Sequence, residues 1–192
     1  MRELRIHGRG GQGTVVASKV LAAALFREGR SVQAFPAFGV ERRGAPVTAF
    51  VRLSDGPILL RCEITEPDGC VILDPTLMKA VDVTQGLKPG GSILINSDRP
   101  TATCAELARR FRVALVDASA IARDLGLGSR TQPLVNTAML GAFAAASGLV
   151  GLESVCASIA EAVRFRTDRN VAAARAAAQA VVRLEAAEVR HA

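Results

Sequence analysis

The sequence predicts an α/β fold: a mainly parallel sheet with a Rossmann-like glycine-rich strand–turn–helix, one inserted antiparallel hairpin and a helical C-terminal part. Three observations lead there. Short apolar runs bounded by turn residues alternate with segments of helical spacing. The stretch His7-Gly8-Arg9-Gly10-Gly11-Gln12-Gly13-Thr14 joins the first strand to the first helix. After residue 117 the pattern turns entirely helical. A chain of 192 residues suits one domain, spanning 1–192.

Taken in order, residues 4–8 form a short buried strand that ends at glycine. Residues 12–27 carry apolar side chains at helical spacing, and Gly29 closes that helix. Residues 31–38 read as a second strand with Pro36 at its exit. In 46–55, Val47, Ala49, Val51 and Leu53 alternate with Thr48, Phe50 and Arg52, and the turn at 54–57 leads into 57–64 as the second strand of a hairpin. The runs 68–74, 90–96 and 112–118 are continuous and apolar, as buried parallel strands are. Two links, "PTLMKAVDV" and "TCAELARRF", read as helical. Helices follow up to Gly126, over 133–148 and over 152–164. A last one is expected from Asp168 to the C-terminus, with Arg183 and Arg190 complementing its dipole.

Composition narrows the function. Hydrophobic residues make up 49% and charged residues 22%, so a substantial core can form. Aromatics are only 4%, with no Trp or Tyr, which argues against stacking on single-stranded nucleic acid and favours helices packed closely through alanine. The net charge of +6 comes from 21 Arg and 3 Lys, a composition that by itself makes no nucleic-acid case. There is no signal-peptide core and no apolar run long enough for a membrane span, which predicts a cytoplasmic protein with neither nucleic acid nor membrane as partner. Cys62, Cys70, Cys104 and Cys156 are widely spaced, so no iron–sulfur or zinc ligation is expected within the chain.

Gly8-x-Gly10-x-x-Gly13 formally matches a dinucleotide fingerprint, with a strand before it and a helix after it. Such glycines let a phosphate approach amide N–H groups at a helix N-terminus. An NAD site also wants an acid at the end of the second strand, and 31–38 has none. A pyrophosphate-bearing ligand fits better than NAD. The glycine-bracketed loop with Glu41, Arg42 and Arg43 follows the second strand, at the same carboxyl edge of the sheet, where two guanidiniums could read phosphate.

"HGRGGQG…A" at 7–17 and "FPAFGVERRGAPVTAFVRLSDGPI" at 35–58 together resemble the gamma subunit of the 2-oxoacid:ferredoxin oxidoreductases, the pyruvate and branched-chain branch above all. "D-x-T-L" at 74–77, "GGSILIN" at 90–96, "VDASAIARDLG" at 116–126 and "NTAMLGAF" at 136–143 extend the likeness over nearly the whole chain. The resemblance implies oxidative decarboxylation of a 2-oxoacid, with coenzyme A accepting the acyl group and ferredoxin the electrons. It implies alpha, beta and delta-type partner subunits that hold thiamine diphosphate and the iron–sulfur clusters. This chain would then contribute coenzyme A binding and assembly, with no catalytic residue of its own. On the same match Gly8, Arg9, Gly10, Gly11, Gln12, Gly13 and Thr14 would approach the phosphates, Arg42 or Arg43 would neutralise them, and Asn136 would hydrogen-bond the ligand or cap its helix. The particular 2-oxoacid stays open, as do a stand-alone NAD or flavin module and a purely structural subunit. A ligand-sized cleft between residues 8–14 and 41–45 separates these.

Overall fold

The computed structural model describes residues 1–37 and 44–184. Glu41, Arg42, Arg43 and Arg190 lie outside them. In chain order come β1 (Arg2–Arg9), α1 (Thr14–Arg27), β2 (Ser31–Pro36), β3 (Pro46–Ser54), β4 (Gly69–Ile72), β5 (Ser92–Asn96), α2 (Ala102–Ala108), β6 (Arg112–Val116), α3 (Ala118–Asp124), α4 (Asn136–Ser147), α5 (Leu152–Ala162), α6 (Thr167–Gln179) and β7 (Val182–Leu184). A 3-10 turn, Pro75–Lys79, replaces a full helix in the first link; Asp74 caps it by accepting from the Thr76 amide.

The strands form one seven-stranded sheet in the order β2-β3-β1-β4-β5-β6-β7. β1, β4, β5 and β6 pair in parallel. β3 lies antiparallel between β1 and β2, so β2 runs in the same direction as β1. The strand period of two sorts side chains to two faces. Leu4, Ile6, Val71, Leu73, Leu94, Ala114 and Val116 join α1, α3, α4, α5 and α6 in the larger core. Cys70, Ile72, Ile93, Ile95, Val113 and Leu115 pack against Val83, Leu87, Cys104 and Phe111 in a thinner layer on the other side.

α4 is buried from Thr137 through Ala144, the mark of a helix enclosed on all sides. Its close neighbour is α6, whose Ala173, Ala174 and Ala177 are buried. The expected packing through alanine is realised here: a β-carbon built on Gly141 would stand 1.9 Å from the Ala174 carbonyl oxygen.

Two elements differ from expectation. Residues 57–64 form no strand, because both edges of β3 are already taken by β1 and β2. The segment is instead tied down by side chains. The Arg52 guanidinium donates to the Cys62 carbonyl at 3.1 Å and the Gln33 amide donates to the Leu60 carbonyl at 3.0 Å. Arg52 is 1% exposed, and it also donates to Glu3 Oε1 at 2.7 Å and Gln33 Oε1 at 3.0 Å. The last helix ends at Gln179, and Val182–Leu184 pairs antiparallel with β6, whose outer edge would otherwise stand open. Arg183 does meet a helix carboxyl end, but that of α4: it donates to the Ala145 carbonyl at 2.8 Å.

Candidate functional site

β1, β4 and β5 end at one edge of the sheet, and the glycine turn leaves β1 there. The Gly10 amide donates to the Ala45 carbonyl at 2.9 Å, and the Gly44 amide donates back to the Gly10 carbonyl at 3.0 Å. The turn is thereby stitched to the segment entering β3. Ala37 and Gly44, the described residues on either side of Arg42 and Arg43 in the chain, both lie at this edge, as the chain direction of β2 requires.

Side-chain hydrogen bonds brace the turn. Gln12 Oε1 accepts from the Arg9 amide at 2.8 Å, and Gln12 Nε2 donates to Asp74 Oδ2 at 3.1 Å. The Arg9 guanidinium is spread over Asp74 Oδ2 at 3.0 Å, the Gly44 carbonyl at 3.1 Å and the Thr76 hydroxyl at 2.8 Å. Burial alone would raise the Asp74 pKa. The Thr76 hydroxyl and amide, Gln12 and the Arg9 charge outweigh it, so the carboxyl sits below its ordinary value and stays ionised.

Gly11 has φ 97° with open space around it, and Gly13, at φ 79°, opens α1. Only glycine adopts these without strain. The Asn136 side chain lies against Gly13, where a β-carbon would stand 2.5 Å from its Nδ2. The residue that caps α4 is Val135, without a side-chain bond, so Asn136 is the first helical residue and not the cap. Thr14 is buried, and its hydroxyl has no partner among the described residues. A β-carbon on Gly8 would overlap that hydroxyl at 2.2 Å. Gly8 and Gly13 thus allow close packing around the turn, while Arg9, Gly10, Gly11 and Gln12 form its open side.

That open side borders a cleft of about 900 Å3. Gly44 lies at its margin. Asp74, Asn96, Ser119, Arg123 and the segment 128–135 line it as well. Asn96 is buried; it donates to the Leu73 carbonyl and to Ser119 Oγ, both at 2.9 Å. None of these lining residues is a site residue by the sequence reading. The signal was present in "D-x-T-L" at 74–77, in "GGSILIN" ending at Asn96 and in "VDASAIARDLG", since strand ends at this edge are where open α/β sheets bind ligands.

His7 faces the opposite side of the sheet. It is 7% exposed, and its Nε2 accepts from Arg5 Nε at 2.9 Å. Burial, then the Arg5 charge, pulls its pKa down to about 4, so it is neutral and structural. Arg5 continues to the Val83 and Gln85 carbonyls at 3.1 and 2.6 Å. A smaller cleft of about 370 Å3 opens beside this pair, and Gly8 lines it. Beside Arg5, burial pushes the Cys70 thiol up to about 11, which leaves it unreactive. Among the described residues no three His, Cys, Asp or Glu side chains converge as a metal site, and no helix is long and apolar enough to cross a membrane.

The sequence pattern of the family described as pyruvate ferredoxin/flavodoxin oxidoreductase matches residues 3–180. The chain belongs to this family. One relative, the pyruvate/ketoisovalerate oxidoreductases common subunit gamma of Thermococcus kodakarensis, is 54% identical over 164 residues, covering 84% of this chain and 86% of the relative. In fold the chain is similar to the crystal structure of pyruvate oxidoreductase subunit PORC from Thermotoga maritima, with a TM-score of 0.81 at 33% identity over 96% of this chain and 98% of that one. The 2-oxoglutarate:ferredoxin oxidoreductase of Magnetococcus marinus, solved with 2-oxoglutarate, coenzyme A and succinyl-CoA bound, shares the fold at a TM-score of 0.70 and 19% identity. There the match covers 96% of this chain but 32% of the longer one. Within the pyruvate ferredoxin/flavodoxin oxidoreductase family, the chain thus corresponds to the gamma subunits, as a subunit of an oxidoreductase rather than a whole enzyme.

Proposed function

We propose that this chain is the gamma subunit of a cytoplasmic oxidoreductase acting on pyruvate, on ketoisovalerate or on both, and that it seats coenzyme A in the cleft beside the glycine turn. The observation that carries the reading is the 900 Å3 cleft at the carboxyl edge of the sheet, bordered by residues 9–12. Its size suits an extended nucleotide thioester carrier, and its position is where doubly wound folds bind nucleotides. The bound coenzyme A named for the Magnetococcus marinus enzyme agrees with it. Gly10, Gly11 and Gln12 border the ligand, while Gly8, Gly13, Thr14 and Asn136 hold the turn in place. Arg42 and Arg43, which directly precede Gly44 in the chain, bring positive charge to it.

In this reading, alpha, beta and delta-type subunits hold thiamine diphosphate and the iron–sulfur clusters and pass electrons to ferredoxin. The wide spacing of Cys62, Cys70, Cys104 and Cys156 agrees with that allocation, and no three His, Cys, Asp or Glu side chains converge among the described residues. In the assembled complex the exposed Phe26, Leu59 and Phe165 are available to neighbouring subunits.

The test is steady-state kinetics of the reconstituted complex carrying Gly11→Asp, beside Gly11→Asn. Both share the backbone strain of a side chain at this φ, so their difference reports charge. The Asp variant raises KM for coenzyme A several-fold above the Asn variant and leaves KM for the 2-oxoacid unchanged. Equal coenzyme A dependence in the two variants and the parent enzyme would sink the assignment.

A further inference from the structure

We infer that β2 is a docking edge for a second copy of this chain, and that two copies join their sheets antiparallel along it, with the two-fold axis passing Gln33.

β2 ends the sheet on one side, with β3 as its neighbour. The ladder fixes which backbone groups it leaves over. The Ala37 amide donates to the Thr48 carbonyl at 2.8 Å, in the same register that sets Phe35 opposite Phe50 and Gln33 opposite Arg52. Hydrogen-bonded pairs alternate along an antiparallel ladder, so Ser31, Gln33 and Phe35 turn their amides and carbonyls to β3. Val32 and Ala34 turn theirs outward, where no backbone group among the described residues meets them. Pro36 offers a carbonyl there and no amide.

This edge lacks the usual defences against pairing. Ser31–Pro36 holds no charged residue, whereas the opposite edge, β7, is only three residues long and centred on Arg183. Val32 and Ala34 pack against the larger core, so the strand is fixed in place. Large apolar side chains stand near it in water. Phe26, at the end of α1, is 70% exposed, and Leu59, next to the Leu60 carbonyl that Gln33 holds, is 85% exposed.

Charge selects the occupant. The chain carries +6 overall, yet around β2 Arg30 pairs with Asp55 and Arg52 with Glu3. Those pairs leave little field to attract a charged strand and little to repel an identical one. The edge is also complementary to itself. With Gln33 on the axis, Val32 of one copy faces Ala34 of the other, and every outward amide of both residues finds a carbonyl. A slide to the next matching register leaves a carbonyl without a donor. It would face either Pro36 or the Arg30 amide, which already donates to the Leu25 carbonyl.

The experiment is sedimentation equilibrium on the full chain, with Val32→Pro, Ala34→Pro and Ala34→Ser beside the parent. Proline here removes an outward amide and leaves the ladder to β3 whole, while serine keeps the amide. Circular dichroism checks that each variant is folded. The parent sediments as a dimer, and so does Ala34→Ser. Each proline variant weakens the dimer about tenfold or more, because one hydrogen bond is lost from each copy at once. Where the proline variants fail to fold, hydrogen exchange on the parent decides. The Val32 and Ala34 amides are protected in the dimer and exchange freely once dilution dissociates it. A parent chain that stays monomeric with both amides unprotected overturns the inference, even if another subunit later protects them. A dimer that both folded proline variants leave intact overturns it as well.

Discussion

Asp74 Oδ2 lies 3.0 Å from Arg9 Nε, so the glycine turn carries its own counter-charge. The two residues come from the ends of neighbouring strands, and their pairing ties the turn to the 3-10 segment through Thr76. Asp74→Ala removes the acceptor for Arg9, Gln12 and Thr76 together. We expect a loss of about 1–3 kcal/mol of unfolding free energy, read as a lower urea midpoint, with a smaller loss for Asp74→Asn. The carboxyl pKa is depressed in the fold. Its stabilisation is therefore present above the ordinary carboxylate range and lost as pH falls through and below it.

His7 sets a different pH dependence. Its folded pKa of about 4 lies below the ordinary 6.5, so the unfolded chain takes up the proton first on acidification. The stabilisation is complete above about pH 6.5 and falls away as pH drops towards 4. The span corresponds to roughly 3 kcal/mol. Thermal midpoints taken between pH 7.5 and pH 4.5 should fall steeply for the parent chain and less for His7→Gln. Parallel slopes would show that His7 is not the group responsible.

Arg52 is a buried cation whose partners come from three places, namely Glu3, Gln33 and the Cys62 carbonyl. Arg52→Ala leaves Glu3 without its counter-ion and should cost about 3–5 kcal/mol. Arg52→Met combined with Glu3→Leu removes both charges and should recover most of that. Chemical denaturation of the parent, Arg52→Met, Glu3→Leu and the double variant closes a double-mutant cycle that checks it. Additive losses would contradict the pairing.

Gly141 is required by the approach of α4 to α6. A methyl group there would meet the Ala174 carbonyl oxygen at 1.9 Å, a backbone atom that can yield only if the helices separate. Gly141→Ala should destabilise by about 1–3 kcal/mol or more. Ala142→Gly, a change in the opposite sense on the same helix, should cost about 1 kcal/mol. Loss of soluble protein for Gly141→Ala alone, with a normal Ala142→Gly, fits; normal stability for Gly141→Ala excludes such close packing.

Local pattern alone placed most of the fold. The apolar runs at 68–74, 90–96 and 112–118 became β4, β5 and β6, because a continuous apolar stretch can only be buried on both faces. The turn at 8–13 and the helix after it were equally plain, and so was the family, through motifs spread from residue 7 to residue 143. What stayed hidden was set by partners distant in the chain. The run at 46–54 alternates like a hairpin strand, and its period is silent on which edges are free. Only the assembled sheet gave both edges to β1 and β2, left 57–64 to side-chain ties, and offered the open edge of β6 to Val182–Leu184. The site divides the same way. Glycines announce a tight turn in any chain. That Arg9 is spent on Asp74, 65 positions later, follows from which strand ends the sheet brings to one edge. Charge pairing depends on distance in space, and a linear pattern records only distance along the chain.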